Sequence, residues 1–405
     1  MINDLDAGGV LDIGSYQSKF IIFRIKNSKI EILSKIILKT SGIKKGFISD
    51  LNKLNKLINE LIGKAEDSAK IKVKTIYLCI SPINYSFINF CNSKNIGGYQ
   101  VEHEKDVQFL INDSVNLFKD YYADYAIIHL FNLNFRTDKI NYIENPIGLV
   151  ADSFESDINI IFTKKNIIKN FTNIFFNNSL KIEKFIYSPF ALGLSIHAES
   201  PLSDGTMLID FGHEHTSICI FENKNFLLSF TIPFGSWHVT TDIAKSLNLN
   251  FDIAENLKIN HSSCILLNSK IVHEYVASEN LGLKSYKKVS NNILNQIVYS
   301  RVDEIIALLN RELLYFKNNK KIFNKIVITG EGSKIKGFEK LLKDKLLIKA
   351  LVIEKFSIKI KNNIQDEFDL CLSMIDYIKN SYFSEIPRNV CRRQSLFEKL
   401  YSLFN

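Results

Sequence analysis

Two segments of the chain, 198 residues apart, carry the same spacing of aspartate, glycine and hydroxyl residues. The first segment reads LDIGSYQSKFIIF from Leu11 to Phe23, and the second reads IDFGHEHTSICIF from Ile209 to Phe221. The constant offset pairs equivalent residues, namely Asp12 with Asp210, Gly14 with Gly212, and Ser18 with Thr216. Carboxylates and free backbone N–H groups at two such turns are suited to binding a metal ion and an anion.

Each segment predicts a β-hairpin, because an apolar strand ends at the aspartate and a second strand follows the hydroxyl residue. A single turn of this kind is most often a surface turn that uses Asp and Gly for their dihedral preferences. Two copies half a chain apart instead favour a duplicated lobe whose two turns face one ligand. Opposed N–H groups can hold the phosphates of a nucleotide, and Asp12 and Asp210 can hold a hydrated Mg²⁺.

A third segment, IVITGEGSKIK from Ile326 to Lys336, predicts an apolar strand that ends at Gly330-Glu331-Gly332 and leads into a helix. Glycines at such a position let the backbone approach a flat base or a ribose closely. Alone, this pattern is typical of any strand-to-helix turn. As the third member of an ordered set, it favours a nucleotide site.

The elements that must position these turns alternate between strand and helix patterns, which predicts an α/β architecture with two lobes. We predict six regions: the first lobe over 1–98 and 163–204, an inserted α+β subdomain over 99–162, the second lobe over 205–380, a linker over 381–390, and an amphipathic helix over 391–405.

Composition excludes several classes of protein. Of the 405 residues, 46% are hydrophobic and 23% are charged, which is ordinary globular usage and excludes a wholly disordered chain. The net charge of +8 is spread widely and the basic residues are not interleaved with aromatic residues, so we expect no nucleic-acid partner. The six cysteines form no C-x-x-C pair, and no signal peptide or apolar run of about 18 residues is present. We therefore expect a cytoplasmic protein.

The order of Asp turn, second Asp turn and glycine turn resembles the actin/hexokinase/heat-shock-chaperone ATPase superfamily. Four further segments resemble the bacterial FtsA family of actin-like division proteins: SGIKKG at 41–46 followed by Ile48, NPIGL at 145–149, PFG at 233–235 with TTDIA at 240–244, and RVDEIIALLNRELL at 301–314. The resemblance runs from about residue 9 to the C-terminus, and it implies an actin-like, two-lobed ATPase fold.

The resemblance also implies the roles of individual residues around ATP and Mg²⁺. Asp12 and Asp210 would order the metal through water. Glu255 and Lys258 would line the nucleoside pocket, although they could also be a solvated i,i+3 helix pair. The residues that would contact the phosphates are Gly14, Ser15, Gly212 and Thr216. The glycines that would lie against the adenosine are Gly330 and Gly332.

Three residues depart from glycines that are common in the family, namely His213, Ser236 and Glu331. Side chains there would crowd the phosphates or the base, so we expect ATP binding with weak hydrolysis or none. His213 and His215 have no third ligand nearby in the sequence, so we expect solvated histidines and not a metal site.

The C-terminal segment CRRQSLFEKLYSLFN predicts an amphipathic helix. At 100° per residue its large apolar side chains share one arc, with two arginines just before it: Leu396, Phe397, Leu400, Leu403 and Phe404, and Arg392 and Arg393. This pattern is typical of a helix that lies in a membrane interface. The alternative is a helix docked on the protein's own core.

By resemblance, the chain would be an ATP-binding adaptor that polymerises, tethers the FtsZ ring to the inner membrane and recruits later divisome proteins. Its contacts would be the C-terminal peptide of FtsZ and inner-membrane lipids. It would lie on the cytoplasmic face of the inner membrane at the division site. Arg301 and Glu304 match the family's peptide-contact helix, but they could also be an ordinary ion pair. Two other functions remain open: a small-molecule or sugar kinase, for which we find no substrate motif, and a pilus-assembly actin homologue, which gives no reason for the terminal helix.

Overall fold

Two five-stranded sheets with equivalent strand orders form the body of the molecule. The computed structural model describes residues 5–27, 29–138, 140–143, 145–199, 205–222, 225–266, 275–276, 289–314, 323–348, 350–355, 366–380 and 385–386. The first sheet has the order β11-β6-β1-β2-β3, with β1 (Leu5–Ile13), β2 (Gln17–Lys26), β3 (Lys29–Lys39), β6 (Thr75–Ile80) and β11 (Lys181–Ile186). The second has the order β14-β13-β12-β17-β18, with β12 (Thr206–Phe211), β13 (Thr216–Glu222), β14 (Asn225–Ile232), β17 (Phe323–Thr329) and β18 (Ala350–Lys355).

The two sheets repeat one topology. In each, three strands form an antiparallel meander, and two further strands then add in parallel beside the first. The hairpin registers also agree, since Asp12 lies opposite Lys19 and Asp210 lies opposite Ser217. The repeat found at the two turns therefore extends over a whole sheet, and the predicted two-lobed α/β architecture is confirmed.

Helices cover the outer faces of both sheets. In the first lobe, α1 (Leu51–Ala69) packs on β2 and β3, and α3 (Lys165–Asn177) packs on β11. Asp50 starts α1 by accepting the N–H of Lys53 at 3.0 Å, as a helix N-cap does. The second lobe is covered by a group of four helices: α5 (Ser236–Leu247), α6 (Phe251–His261), α7 (Asn291–Glu312) and α8 (Phe338–Lys345).

Two helices lie between the sheets. One is α4 (Ser188–Glu199), which packs on the second sheet, and the other is α9 (Asp369–Lys379), which packs on the first sheet and on α4. The buried Phe190 ring of α4 lies 5.6 Å from the Phe226 ring, so that one apolar core continues from the first lobe into the second. This shared core brings the ends of the two hairpins close together.

The inserted subdomain is a four-stranded sheet with the order β7-β10-β8-β9, covered by α2 (Gln108–Tyr121). Its strands are β7 (Tyr85–Gln100), β8 (Tyr125–Thr137), β9 (Ile140–Ile143) and β10 (Val150–Lys164). The sheet thus starts at Tyr85, ahead of the predicted boundary at residue 99. Because β7 is an edge strand with many exposed residues, its sequence does not stand out as part of a new sheet.

The region predicted as a linker contains two residues that the structure places against the body. The Ile386 N–H donates to the Leu130 carbonyl at 2.8 Å. The Glu385 carboxylate contacts His129 Nδ1 at 2.8 Å, Lys184 Nζ at 2.9 Å and the Tyr377 hydroxyl at 2.5 Å. Burial alone would raise the pKa of Glu385, but these partners lower it to about 2. Residues 385 and 386, which lie within the predicted linker, are therefore anchored to the body of the molecule.

The predicted amphipathic helix lies outside the described residues, and so do its apolar arc and Arg392 and Arg393. Within the described part of the chain, no helix combines the length and the apolar character that crossing a bilayer requires.

Candidate nucleotide cleft

The three glycine-containing segments meet at one cleft between the lobes. Its volume is about 430 Å³. The turn after β1, the turn after β12 and the end of β17 all contribute to its lining. Of the predicted site residues, six line the cleft: Asp12, Gly14, Ser15, Asp210, Gly212 and Gly330.

Asp12 and Asp210 supply the acidic part of the cleft. Burial raises the pKa of each carboxyl to about 6, and the charge of Asp12 adds to the shift at Asp210. Lys19, which lies opposite Asp12 in the hairpin, lowers both pKa values and so limits the shift. At neutral pH the cleft therefore holds two buried carboxylates whose charged form is unfavourable, and a bound cation would stabilise that form.

The donor set fits a metal that is held mainly through water. Within the described residues, no group of three or more His, Cys, Asp or Glu side chains is arranged to hold a metal ion directly. Mg²⁺ is usually bound by one or two carboxylates together with waters and phosphate oxygens. Asp12 and Asp210 match that requirement.

Gly330 brings the third segment against the second aspartate. Its φ is 86°, and a Cβ built there would lie 2.5 Å from Asp210 Oδ1 and from the Phe211 carbonyl oxygen. Only glycine fits this backbone. Gly332 lies behind the cleft wall, where a Cβ would meet the Phe211 ring at 2.6 Å, so its backbone packs on that ring and does not line the cleft.

The two hydroxyl residues at the repeated position form hydrogen bonds within their own lobes. Thr216 is fully buried and donates to the Phe234 carbonyl at 2.7 Å. Its counterpart Ser18 bonds to the Thr40 hydroxyl at 2.8 Å, and Thr40 donates to the Gly14 carbonyl at 2.7 Å. In this structure the Thr216 hydroxyl thus braces its turn and does not line the cleft.

Glu255 and Lys258 form a buried network beneath the second turn. Lys258 is only 5% exposed, its Nζ lies 2.9 Å from the Glu255 carboxylate, and it donates to the Thr240 hydroxyl at 3.0 Å. Thr240 in turn donates to Glu255 at 2.6 Å. The alternative of a solvated pair is therefore wrong. The network lies outside the cleft lining and supports the wall near His213.

The two histidines are not solvated as expected. His215 is buried, and its Nδ1 lies 3.3 Å from the Ser81 hydroxyl of the first lobe. The His213 ring contacts the Tyr16 ring, with 4.8 Å between the centroids, and burial followed by the nearby Lys258 charge lowers the pKa of His213 to about 4. Both rings are used at the contact between the lobes, which local sequence does not reveal.

The other two departures from glycine differ in position. Glu331 lines the cleft and pairs with Lys334 at 3.2 Å. Ser236 is buried at the start of α5, where its N–H donates to the Gly212 carbonyl at 2.9 Å. Glu331 and His213 thus occupy cleft space, whereas Ser236 supports the turn from behind.

Three basic residues of the cleft were missed by the sequence reasoning: Lys19, Lys334 and Lys355. Lys19 could have been found from the hairpin register, which places it directly opposite Asp12. Lys355 ends β18, a strand without a motif, so only the fold brings it to the cleft.

Arg301 and Glu304 lie on α7, outside the cleft lining. Arg301 Nε lies 2.5 Å from Asp242 Oδ2 of α5, and its Nη1 lies 2.6 Å from Glu304 Oε2. The Arg301 side chain is only 22% exposed. It therefore belongs to a three-residue network that joins two helices, which is more than an isolated surface pair.

Comparison with known proteins points to one family. The family model described as "Cell division protein FtsA" matches residues 207–368. The cell division protein FtsA of Buchnera aphidicola subsp. Schizaphis graminum is 25% identical over 418 aligned positions, which cover 97% of this chain and 96% of that protein. These matches support assignment of the chain to the FtsA family. FtsA relatives are cell-division proteins, and the kinase and pilus-assembly alternatives are not favoured.

Solved structures agree on the actin-like fold. The PilM-PilN type IV pilus biogenesis complex has a chain with a TM-score of 0.66 and 14% identity, covering 92% of this chain and 98% of that chain. MreB5 of Spiroplasma citri bound to ADP gives a TM-score of 0.52 and 12% identity, with 92% and 97% coverage. At these identities the similarity concerns the fold alone, and it confirms the predicted actin-like architecture.

Proposed function

We propose that this FtsA-family chain binds Mg-ATP in the cleft between its two lobes. The observation that carries the proposal is the meeting of two equivalent aspartate turns and the Gly330 backbone around one cavity. The fold neighbour MreB5 supports it, because that protein was solved with ADP on the same type of fold.

Different residues would contact different parts of the nucleotide. The backbone N–H groups at Gly14-Ser15 in the first turn and at His213 in the second face the phosphates, while the Gly212 N–H closes its own turn by donating to the His215 carbonyl at 2.9 Å. Asp12 and Asp210 hold the waters of Mg²⁺, and the bound metal offsets phosphate charge. Lys19 adds a fixed positive charge beside the phosphates, and Gly330 lets the third segment pack against Asp210, where it borders the adenosine.

Side chains crowd the cleft and add negative charge to its lining. His213 and Glu331 place side chains where a glycine-rich cleft would have open space. Glu331 and Glu214 also add negative charge to the lining, which opposes a phosphate-rich ligand. We propose that nucleotide acts mainly as a structural ligand of the two lobes, with slow or absent turnover.

Isothermal titration calorimetry with ATP tests the nucleotide proposal. We expect wild-type protein to bind ATP with Mg²⁺, and to bind it more weakly when EDTA removes the metal. The variant Asp252→Asn, an exposed aspartate of α6, is the matched control and should bind as the wild type does. The absence of heat with Mg-ATP in a folded wild-type protein would reject the proposal.

At the division site we propose a role as an adaptor that polymerises, binds the FtsZ C-terminal peptide, contacts inner-membrane lipids through residues 391–405, and recruits later divisome proteins. Membership of the FtsA family supports this role. The amphipathic sequence of the last residues supports peripheral attachment on the cytoplasmic face. Co-sedimentation with anionic liposomes tests the membrane step, and a folded protein that never sediments would reject it.

Arg301 is the proposed peptide contact on the second lobe. Asp242 and Glu304 hold its guanidinium in place, so the group is presented with little loss of side-chain entropy. Arg301→Glu should weaken binding of an acidic FtsZ tail peptide at least about tenfold in fluorescence polarisation. Arg311→Glu, an exposed arginine in the last turn of the same helix, is the control. Equal losses for the two variants would mean that only net charge matters.

A further inference from the structure

The second aspartate turn is fastened to the first lobe through its side chains. Glu214 accepts the backbone N–H of Lys45 at 3.1 Å and that of Gly46 at 3.2 Å, with one carboxylate oxygen for each. These two residues join β4 (Ile43–Lys44) and β5 (Phe47–Ile48), a short hairpin of the first lobe. A carboxylate that receives two successive N–H groups makes charge-assisted hydrogen bonds, which are stronger than neutral ones.

The receiving hairpin is shaped for this contact. Lys45 has a φ of 52° and Gly46 a φ of 79°, and two successive left-handed residues turn their N–H groups toward one anion. Asn84 Nδ2 donates to the Gly46 carbonyl at 2.7 Å, which fixes the hairpin from the other side. A Cβ at Gly46 would lie 2.5 Å from Ser81 Oγ and 2.9 Å from His215 Cε1, so the close approach of the lobes requires glycine.

A second contact lies beside the first. His215 Nδ1 and Ser81 Oγ are 3.3 Å apart, and both residues are buried. Glu214 and His215 are consecutive, and both reach across to the first lobe. A turn built of glycines has no side chains to make either contact.

We propose that Glu214 and His215 form an interlobe clasp with Lys45, Gly46 and Ser81. The clasp holds the lobes together at the phosphate end of the cleft and slows the passage of nucleotide. Its effect on nucleotide rests on the proposed function, whereas the clasp itself does not. Because Glu214 also lines the cleft, its removal changes the charge there as well, and the experiment must separate the two effects.

Hydrogen exchange of the full-length protein without nucleotide tests the clasp directly. Glu214→Ala removes the acceptor of the Lys45 and Gly46 amides, so the peptide that contains them should exchange roughly tenfold faster. Glu331→Ala is the matched control, because it also removes a cleft carboxylate, but one that pairs within its own lobe. Unchanged protection at these amides in Glu214→Ala would overturn the clasp. If that variant fails to fold, Glu214→Gln keeps the side-chain size but leaves only one acceptor oxygen, so one of the two amides should lose protection, and unchanged protection of both would overturn the clasp.

Release of a fluorescent ATP analogue, followed by stopped flow, tests the consequence for nucleotide. We expect release about tenfold faster from Glu214→Ala, and no faster from Glu331→Ala than from wild type. Slower release from both variants would mean that Glu214 acts only through its charge, which would overturn the gating role. If the analogue fails to bind wild-type protein while exchange still depends on Glu214, the nucleotide proposal fails and the clasp stands.

Discussion

The two aspartate turns share a backbone but differ in what their side chains do. Both follow the first strand of an equivalent sheet, and both place an aspartate at the cleft. The first turn leaves Tyr16 partly exposed and sets Lys19 opposite its aspartate. The second has Ser217 in that position and directs Glu214 toward the other lobe. The duplicated lobes thus keep the geometry of ligand binding, while the first hairpin supplies positive charge and the second turn supplies the hydrogen bonds to the opposite lobe.

The largest expected effect is a loss of Mg-ATP affinity on substitution of the residue opposite the first aspartate, compared with the residue opposite the second. Lys19→Met should cost about 2–3 kcal/mol of Mg-ATP binding, because it removes the cation beside the phosphates. Ser217→Ala, at the equivalent position of the second hairpin, should cost less than about 0.5 kcal/mol, since its hydroxyl bonds to Thr231 at 3.0 Å. Calorimetry that gives equal losses for the two variants would show that the hairpins are not specialised.

A smaller effect concerns stability and pH. The folded state raises the pKa of Asp210 from 3.8 to about 6, so the native protein loses stability as the pH rises through that interval. Asp210→Asn carries no charge and should escape this loss. In the absence of nucleotide, the variant should be about 1–2 kcal/mol more stable than wild type at pH 7.5, and the difference should shrink toward pH 4.5.

Thermal melts at the two pH values measure this effect. The melting temperature of Asp210→Asn should exceed that of wild type mainly at pH 7.5. Asp252→Asn, at an exposed site, should change the melting temperature equally at both pH values. A variant that is less stable than wild type at pH 7.5 would mean that the Asp210 carboxylate is well compensated within the fold.

The smallest effect concerns the repeated hydroxyls. Thr216→Val keeps the side-chain shape but removes the hydrogen bond to the Phe234 carbonyl, so it should cost about 1 kcal/mol of stability. Mg-ATP affinity should stay within about twofold of wild type, because the hydroxyl does not line the cleft. Lost affinity with an unchanged melting temperature would instead place the Thr216 hydroxyl on the phosphates, as the family resemblance implied.

The sequence could predict those site residues whose position depends on the local pattern of apolar strands and turns. Asp12 and Asp210 lie near the ends of apolar strands, and Gly330 directly follows one. The duplication of the aspartate turns predicted that they face one ligand, so their convergence could be predicted. Thr216 could not be placed, since its partner Phe234 lies in the loop after β14 and competes with any ligand for its hydroxyl. The burial of Lys258 likewise depends on the packing of α5 against α6.

The prediction that the histidines of the second turn are solvated was wrong for a related reason. In the sequence, His213 and His215 have only polar neighbours, which predicts solvent. Their actual partners Tyr16 and Ser81 come from the other lobe, more than a hundred residues away in the chain. Contacts between the lobes therefore could not be predicted from local sequence, whereas the fold class could be predicted from the repeat together with the alternation of strand and helix patterns.

The central claim is that the two turns hold one Mg-nucleotide together, and a double-mutant cycle of Asp12→Asn and Asp210→Asn tests it most directly. Each single variant should lose about 1–3 kcal/mol of Mg-ATP binding by calorimetry. The double variant should lose at least about 1 kcal/mol less than the sum of the two, because both carboxylates steady the same ion. Additive losses, or binding that neither substitution weakens, would contradict a shared site.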